Sequence, residues 1–163
     1  MPADYDGDGA TDIAVWRPSS ATWWILTSAS GFRPSQRLAI QWGNPQSTDV
    51  PVPADYDGDG QADIAVWRPR DGNWWILLST EDYSPAARLR IQWGIGTQND
   101  VPVPADYDGD GRADLGVWRP ATGVWYLRTS STEYAATWNM PYGTAGDIPL
   151  LAGWSAVKRY LGQ

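Results

Sequence analysis

The octapeptide PADYDGDG stands at residues 2–9, 53–60 and 104–111, so one string returns every 51 residues. Each copy is followed by a further aspartate: Asp12, Asp63 and Asp114. The loop D-x-D-G-D-G-x-x-D is thereby written three times. A fixed period of this length marks a chain of equivalent supersecondary units rather than one irregular core. Whatever the chain folds into must present the same acidic loop in three equivalent places.

The loop chemistry points to a hard divalent cation. Calcium takes six to eight oxygen ligands in flexible geometry, and a calcium loop offers them at alternate positions. Asp4, Asp6 and Asp8 hold positions one, three and five of the first loop, as do Asp55, Asp57 and Asp59, and Asp106, Asp108 and Asp110, in the others. Position seven is Ala10, Gln61 or Arg112, a variety that suits a backbone carbonyl ligand. Position nine is Asp12, Asp63 or Asp114, binding directly or through water. Gly7 and Gly9 let the backbone curl around the ion, because glycine adopts positive φ without steric cost. Asp and Gly also favour plain turns. Three copies that keep every carboxylate argue against that reading, since four crowded carboxylates repel one another unless a cation lies between them.

An EF-hand loop would need a bidentate Glu at position twelve. Val15, Val66 and Val117 stand there instead. The segments that follow, IAVWRP, IAVWRP and LGVWRP, are β-branched and aromatic and read as strands. The loop therefore joins two strands. Magnesium is disfavoured because it keeps its waters and rarely uses an all-protein cage.

Four strands are expected in each unit. The first is VPVPADY at 50–56 and 101–107. The second is 13–17, 64–68 and 115–119. The third is 23–28, 74–79 and 125–130, and the fourth is 37–43, 88–94 and 137–143. Four short strands in a repeat of about 40–50 residues are the signature of a β-propeller blade. The fold class expected is all-β, with residues 1–52, 53–103 and 104–146 as three blades and 147–163 as an orphan first strand and tail. GDIPLLAGW at 146–154 aligns with NDVPVPADY, but Ser155, Val157 and Lys158 replace the loop acids and glycine, so the fourth calcium loop is gone. Three blades fall below the usual four to eight. The expectation is a homodimer in which each chain gives its 147–152 strand to the other, closing a six-bladed ring; the main alternative is a piece of a longer propeller, and a nine-bladed trimer comes behind both.

Composition narrows the function. The net charge of −7 would become −1 with three bound Ca²⁺ per chain, so the acidity belongs mostly to the loops. No basic patch is present to neutralise phosphates, which argues against nucleic acid. No apolar run is long enough to cross a membrane. No secretory leader is legible before the first repeat. Histidine and cysteine are absent, removing the commonest general base and any disulfide framework. With most acids in the loops, no catalytic constellation is visible and the chain reads as non-enzymatic.

DYDGDGATD, DYDGDGQAD and DYDGDGRAD, each followed by a strand I/L-A/G-V-W, resemble the metal loop of the FG-GAP/VCBS repeats, calcium-loop propellers related to the integrin α-subunit head. The resemblance covers residues 2–154. It implies Ca²⁺ held between strands one and two, and an extracellular or cell-surface setting rich in calcium. The literal FG and GAP words are missing, which places the chain nearer the bacterial VCBS-like branch, and integrin-type ligand binding does not carry over. Some members of the family are lectins or adhesion modules, so a glycan or protein ligand is the expected class of partner.

Twelve tryptophans remain to be placed. Those recurring in strands two and three read as packing between blades. Trp42 and Trp93, each before a glycine at a strand end, are the candidates for sugar binding by exposed rings. Arg17, Arg68 and Arg119 are expected to stack on an aromatic ring or pair with a loop acid. The leading expectation is a calcium-stabilised scaffold or binding module. The alternatives are a carbohydrate-binding lectin and a designed or recently amplified repeat with no dedicated ligand.

Overall fold

The structure, a computed structural model, describes residues 2–150. Among these, eleven strands form three antiparallel sheets in chain order. The first sheet is β1 (Ile13–Arg17), β2 (Thr22–Leu26) and β3 (Leu38–Gln41). The second is β4 (Val50–Pro51), β5 (Ile64–Arg68), β6 (Asn73–Leu77) and β7 (Leu89–Gln92). The third is β8 (Val101–Pro102), β9 (Leu115–Arg119), β10 (Val124–Arg128) and β11 (Thr137–Pro141). The second and third sheets open at Val50 and Val101, ahead of the PADYDGDG strings that begin at Pro53 and Pro104.

The second strands fall where the alternation placed them. The first strands are more broken than a continuous run over 50–56 would be. Pro51 and Pro53 have no N–H, so neither can donate to the ladder and the regular strand is limited to Val50–Pro51. Val52 still donates to the Ala65 carbonyl at 2.8 Å, and an isolated bridge joins Ala54 to Asp63. Prolines suit an outer strand, where the missing donor would face an open edge. The third strands stop at Leu26, Leu77 and Arg128, short of the expected serines, because Ser28, Ser79 and Ser130 turn their N–H groups onto the loop carboxylates described below. Of the expected orphan strand, residues 147–150 are described and adopt no strand. Its remainder lies outside the described residues.

Apolar residues alternate along the central strands, so both faces of a sheet are covered. Ala14, Trp23 and Ile25 of the first sheet pack with Ile64, Val66 and Leu77 of the second. On its other face the second sheet places Ala65, Trp67, Trp74 and Ile76 against Leu115 and Val117 of the third. Burying such a side chain is worth about 1.5–3 kcal/mol, and the stack of sheets is therefore held mainly by these two interfaces.

The strand-end tryptophans fasten the layers. Trp16 and Trp23 both donate their indole N–H to the Trp42 carbonyl at 3.2 Å, and Trp67 and Trp74 do the same to Trp93 at 3.0 Å. The indole of Trp42 then reaches into the second sheet, donating to the Trp75 carbonyl at 3.0 Å. Trp93 repeats this on Tyr126 at 3.2 Å. Both rings are half-buried between sheets, not presented on a free loop as the sugar-binding expectation required.

Candidate metal centre

Each acidic loop opens after an isolated bridge, Ala3 to Asp12, Ala54 to Asp63 and Ala105 to Asp114, and returns into β1, β5 or β9. Two layers of hydrogen bonds shape them. The first aspartate of each loop caps its two glycines: Asp4 accepts from the N–H groups of Gly7 and Gly9 at 2.7 and 2.8 Å. Asp55 does so for Gly58 and Gly60, and Asp106 for Gly109 and Gly111. Gly7 and Gly9 sit at φ +76° and +83°, so the curl uses the backbone freedom expected of them.

The last aspartate is buried and acts as a clamp. Asp63 accepts the Tyr56 N–H at 2.8 Å and the Ser79 N–H at 2.7 Å. Asp12 and Asp114 make the equivalent pairs with Tyr5 and Ser28, and with Tyr107 and Ser130. Position nine thus ties the loop to the end of the third strand. Burial pushes the Asp63 carboxyl up to about 7, against the pull of the Ser79 and Tyr56 N–H groups and with the nearby charge of Asp57 adding to the rise. Asp8 moves the other way, lowered by the Ser28 hydroxyl and then by the Ala10 N–H.

Carboxylate oxygens converge in all three loops. Oxygens of Asp4, Asp6 and Asp8 lie within 4.8 Å of one another, as do those of Asp55, Asp57 and Asp63, and those of Asp106, Asp108 and Asp114. The first loop clusters positions one, three and five, and the other two cluster positions one, three and nine. All-oxygen, anionic donor sets of this kind suit calcium. Asp6 Oδ2 is buried without a hydrogen-bond partner. A buried carboxylate oxygen left unpaired is costly, and a cation among the three carboxylates would satisfy it. In the other loops the equivalent oxygens are taken by hydroxyls, Thr80 on Asp57 at 2.5 Å and Ser131 on Asp108 at 2.6 Å.

Sequence reasoning missed these hydroxyls. Ser28, Ser79 and Ser130 also donate to Asp8, Asp59 and Asp110. They come from the far end of the third strand, and only their recurrence at one place in each repeat could have signalled them. The side chains at position seven make contacts between repeats that their variety did not signal. A Cβ on Gly7 would lie 2.8 Å from Gln61 Cγ, and one on Gly58 would lie 2.9 Å from Arg112 Cγ. Gln61 and Arg112 therefore press on the glycine of the preceding loop. Arg112 also contacts Asp110 at 3.2 Å and Glu133 at 3.3 Å, bringing a positive charge to the third loop alone.

The recurring arginines lie apart from the loops. Arg68 makes a two-pronged pair with Asp49 at 2.8 and 2.9 Å, and Arg119 pairs with Asp100 at 2.7 and 2.9 Å. Their carboxylate partners precede β4 and β8 and are not loop acids. The guanidinium groups also stack on aromatic rings, Arg17 on Trp24, Arg68 on Trp75 and Arg119 on Tyr126.

A family model described as an FG-GAP-like repeat matches residues 4–66 and again residues 55–117. Neither the curated proteins nor the solved structures contain a match to the chain.

Proposed function

The chain belongs to the FG-GAP-like repeat family, and from that premise we propose that it is a non-enzymatic, calcium-stabilised β-propeller module serving as a scaffold or adhesion surface in a calcium-rich, extracellular setting. The observation that carries this reading is the convergence of three carboxylates in each of three equivalent loops, one of them with a buried oxygen that has no other partner. Asp4, Asp6 and Asp8 would hold the first ion, and the clusters of the second and third loops the others. Ala10, Gln61 and Arg112 would add main-chain carbonyls. The ion would supply charge neutralisation, letting a nine-residue acidic loop close. Described helices are all short, and none is long and apolar enough to cross a membrane. A lectin reading draws no support from Trp42 and Trp93, whose indole N–H groups bridge neighbouring sheets.

Calcium titration with thermal unfolding tests the proposal. Sites with Kd of roughly 10⁻⁴–10⁻³ M, typical of extracellular modules, would each add about 0.4–1.4 kcal/mol at about millimolar calcium. Chelation with EGTA should therefore lower the Tm. Isothermal titration should give three ions per chain, and Asp57→Ala should reduce that to two. An unchanged Tm between EGTA and millimolar calcium would refute the reading.

A further inference from the structure

We propose that two copies of this chain join head to tail, each laying Ile148–Leu150 along β1 of the other, to close a ring of six sheets. The inference rests on the packing between repeats and stands apart from the calcium reading.

Among the described residues the second and third sheets have four strands and the first has three, with β1 at its edge. In the complete sheets the outer strand places Val50 opposite Trp67 and Pro51 opposite Val66, and likewise Val101 opposite Trp118 and Pro102 opposite Val117. The segment DIPLL at 147–151 has the pattern of DVPVP at 49–53 and 100–104. The same register would set Ile148 against Trp16 and Pro149 against Val15 of the second copy. Leu150 is 80 % exposed, whereas its counterparts Val52 and Val103 are buried.

Charge complementarity fixes the same register. Asp49 and Asp100 accept the N–H of Asn44 and of Ile95 at 2.8 Å, and each pairs with an arginine at the end of the adjoining strand. Asp147 accepts the Thr144 N–H at 2.8 Å in the same way, but has no basic partner among the described residues. Arg17, the counterpart of Arg68 and Arg119, is stacked on Trp24 and has no carboxylate partner among the described residues. Joining the copies unites these two groups.

The apolar faces agree. Ile13 and Val15 are 52 % and 57 % exposed, while Ile64, Val66, Leu115 and Val117 are buried beneath the preceding sheet. At the other end Trp138, Met140 and Tyr142 are exposed, Tyr142 at 75 %. Tyr142 holds the position from which Trp42 and Trp93 reach into the next sheet. Val15, Arg17, Trp24 and Arg37 line an open groove where it would lie.

The contacts missing at one end are also missing at the other. Within the chain, Gln61 and Arg112 press on the preceding loop. Tyr83 and Tyr134 donate their hydroxyls to its Tyr5 and Tyr56 carbonyls. The first repeat has Ala10 and Phe32 at these positions, which lack both groups, and the sequence after residue 152 lacks the loop they would meet. Two chains are favoured over more because six sheets fall within the usual four to eight of a closed ring. A head-to-tail contact of this kind ends growth only when the ring closes.

Sedimentation equilibrium of the full chain in millimolar calcium tests this. The expected mass is twice 18.0 kDa. Arg17→Asp alone and Asp147→Arg alone should each raise the dissociation constant at least ~30-fold, since each opposes like charges at both junctions. Mixed in equal amounts, the two variants should restore the double mass, because both junctions of the mixed ring then carry opposite charges. Ile13→Lys, on the same face but outside the charge pair, should weaken association as well, and far-UV circular dichroism should show all three variants folded. A parent chain of single mass, or assemblies larger than two, overturns the proposal. So does a dimer that survives either charge reversal, or a mixture of folded variants that stays at single mass.

Discussion

Within each loop the first and last of the four aspartates do different work. Asp4, Asp55 and Asp106 hold the curl of the loop, while Asp12, Asp63 and Asp114 are buried and anchor it to the third strand. This division yields a pH prediction. The Asp63 carboxyl is pushed up to about 7 from an ordinary 3.8, mainly by burial. The native state therefore holds that proton more tightly than the unfolded chain does. The stability it contributes is full below about pH 4 and is lost as the pH rises through about 7. In EGTA, Asp63→Asn keeps the site neutral, and its Tm should decline less than the parent's between about pH 5 and pH 8. Thermal unfolding across that range checks it, and identical slopes would contradict it. Calcium should oppose the effect, because a cation favours the carboxylate. Arg112 supports a second prediction. Its guanidinium competes for Asp110 in the third loop, where the second loop has Gln61. Arg112→Gln should tighten the weakest calcium step about two- to fivefold, the scale of an exposed charge pair, as read by isothermal titration.

Between residues and sheets, the tryptophans show what the sequence could and could not reveal. The second strands, Ile13–Arg17, Ile64–Arg68 and Leu115–Arg119, were legible because two-residue alternation and turn residues bound them on both sides. The acidic loops were legible because carboxylate spacing is local. The roles of Trp42 and Trp93 were not, because a ring beside a glycine looks the same whether it meets solvent or the next sheet. That choice depends on a carbonyl 33 positions along the chain, Trp75 or Tyr126. The hydroxyls of Thr80 and Ser131 were hidden for the same reason: they meet Asp57 and Asp108 only once the third strand has folded back. Trp93→Phe isolates the layer contact, since it leaves the residue 93 carbonyl to accept Trp67 and Trp74. It removes the N–H bond to Tyr126 and puts a smaller ring in place of the indole beneath Arg128. The expected loss is about 1–3 kcal/mol, measured by urea unfolding, whereas a sugar-binding role alone would leave stability unchanged.

Across the whole molecule, the acidity and the sheet packing oppose each other. Nineteen acidic residues face twelve basic ones, and most of the acids crowd into loops stacked from one repeat to the next. Backbone contacts hold those loops together, with the Ala62 N–H on the Asp4 carbonyl at 2.6 Å and the Ala113 N–H on Asp55 at 2.7 Å. Every junction that buries tryptophan and valine thus also brings one carboxylate cluster toward the next. Without a cation that repulsion works against the stack, and its range follows the Debye length, about 30 Å at 0.01 M salt and about 3 Å at 1 M. In EGTA, raising potassium chloride between those limits should therefore raise the Tm. In millimolar calcium, where three bound ions would take the net charge from −7 to −1, the same titration should change it far less. Sodium perchlorate in place of the chloride separates screening from salting-out, because a screening gain survives the exchange and a salting-out gain does not. If the salt response is as large with calcium as without it, the loops are not where the charge is neutralised, and the stacked sheets hold together despite their acids.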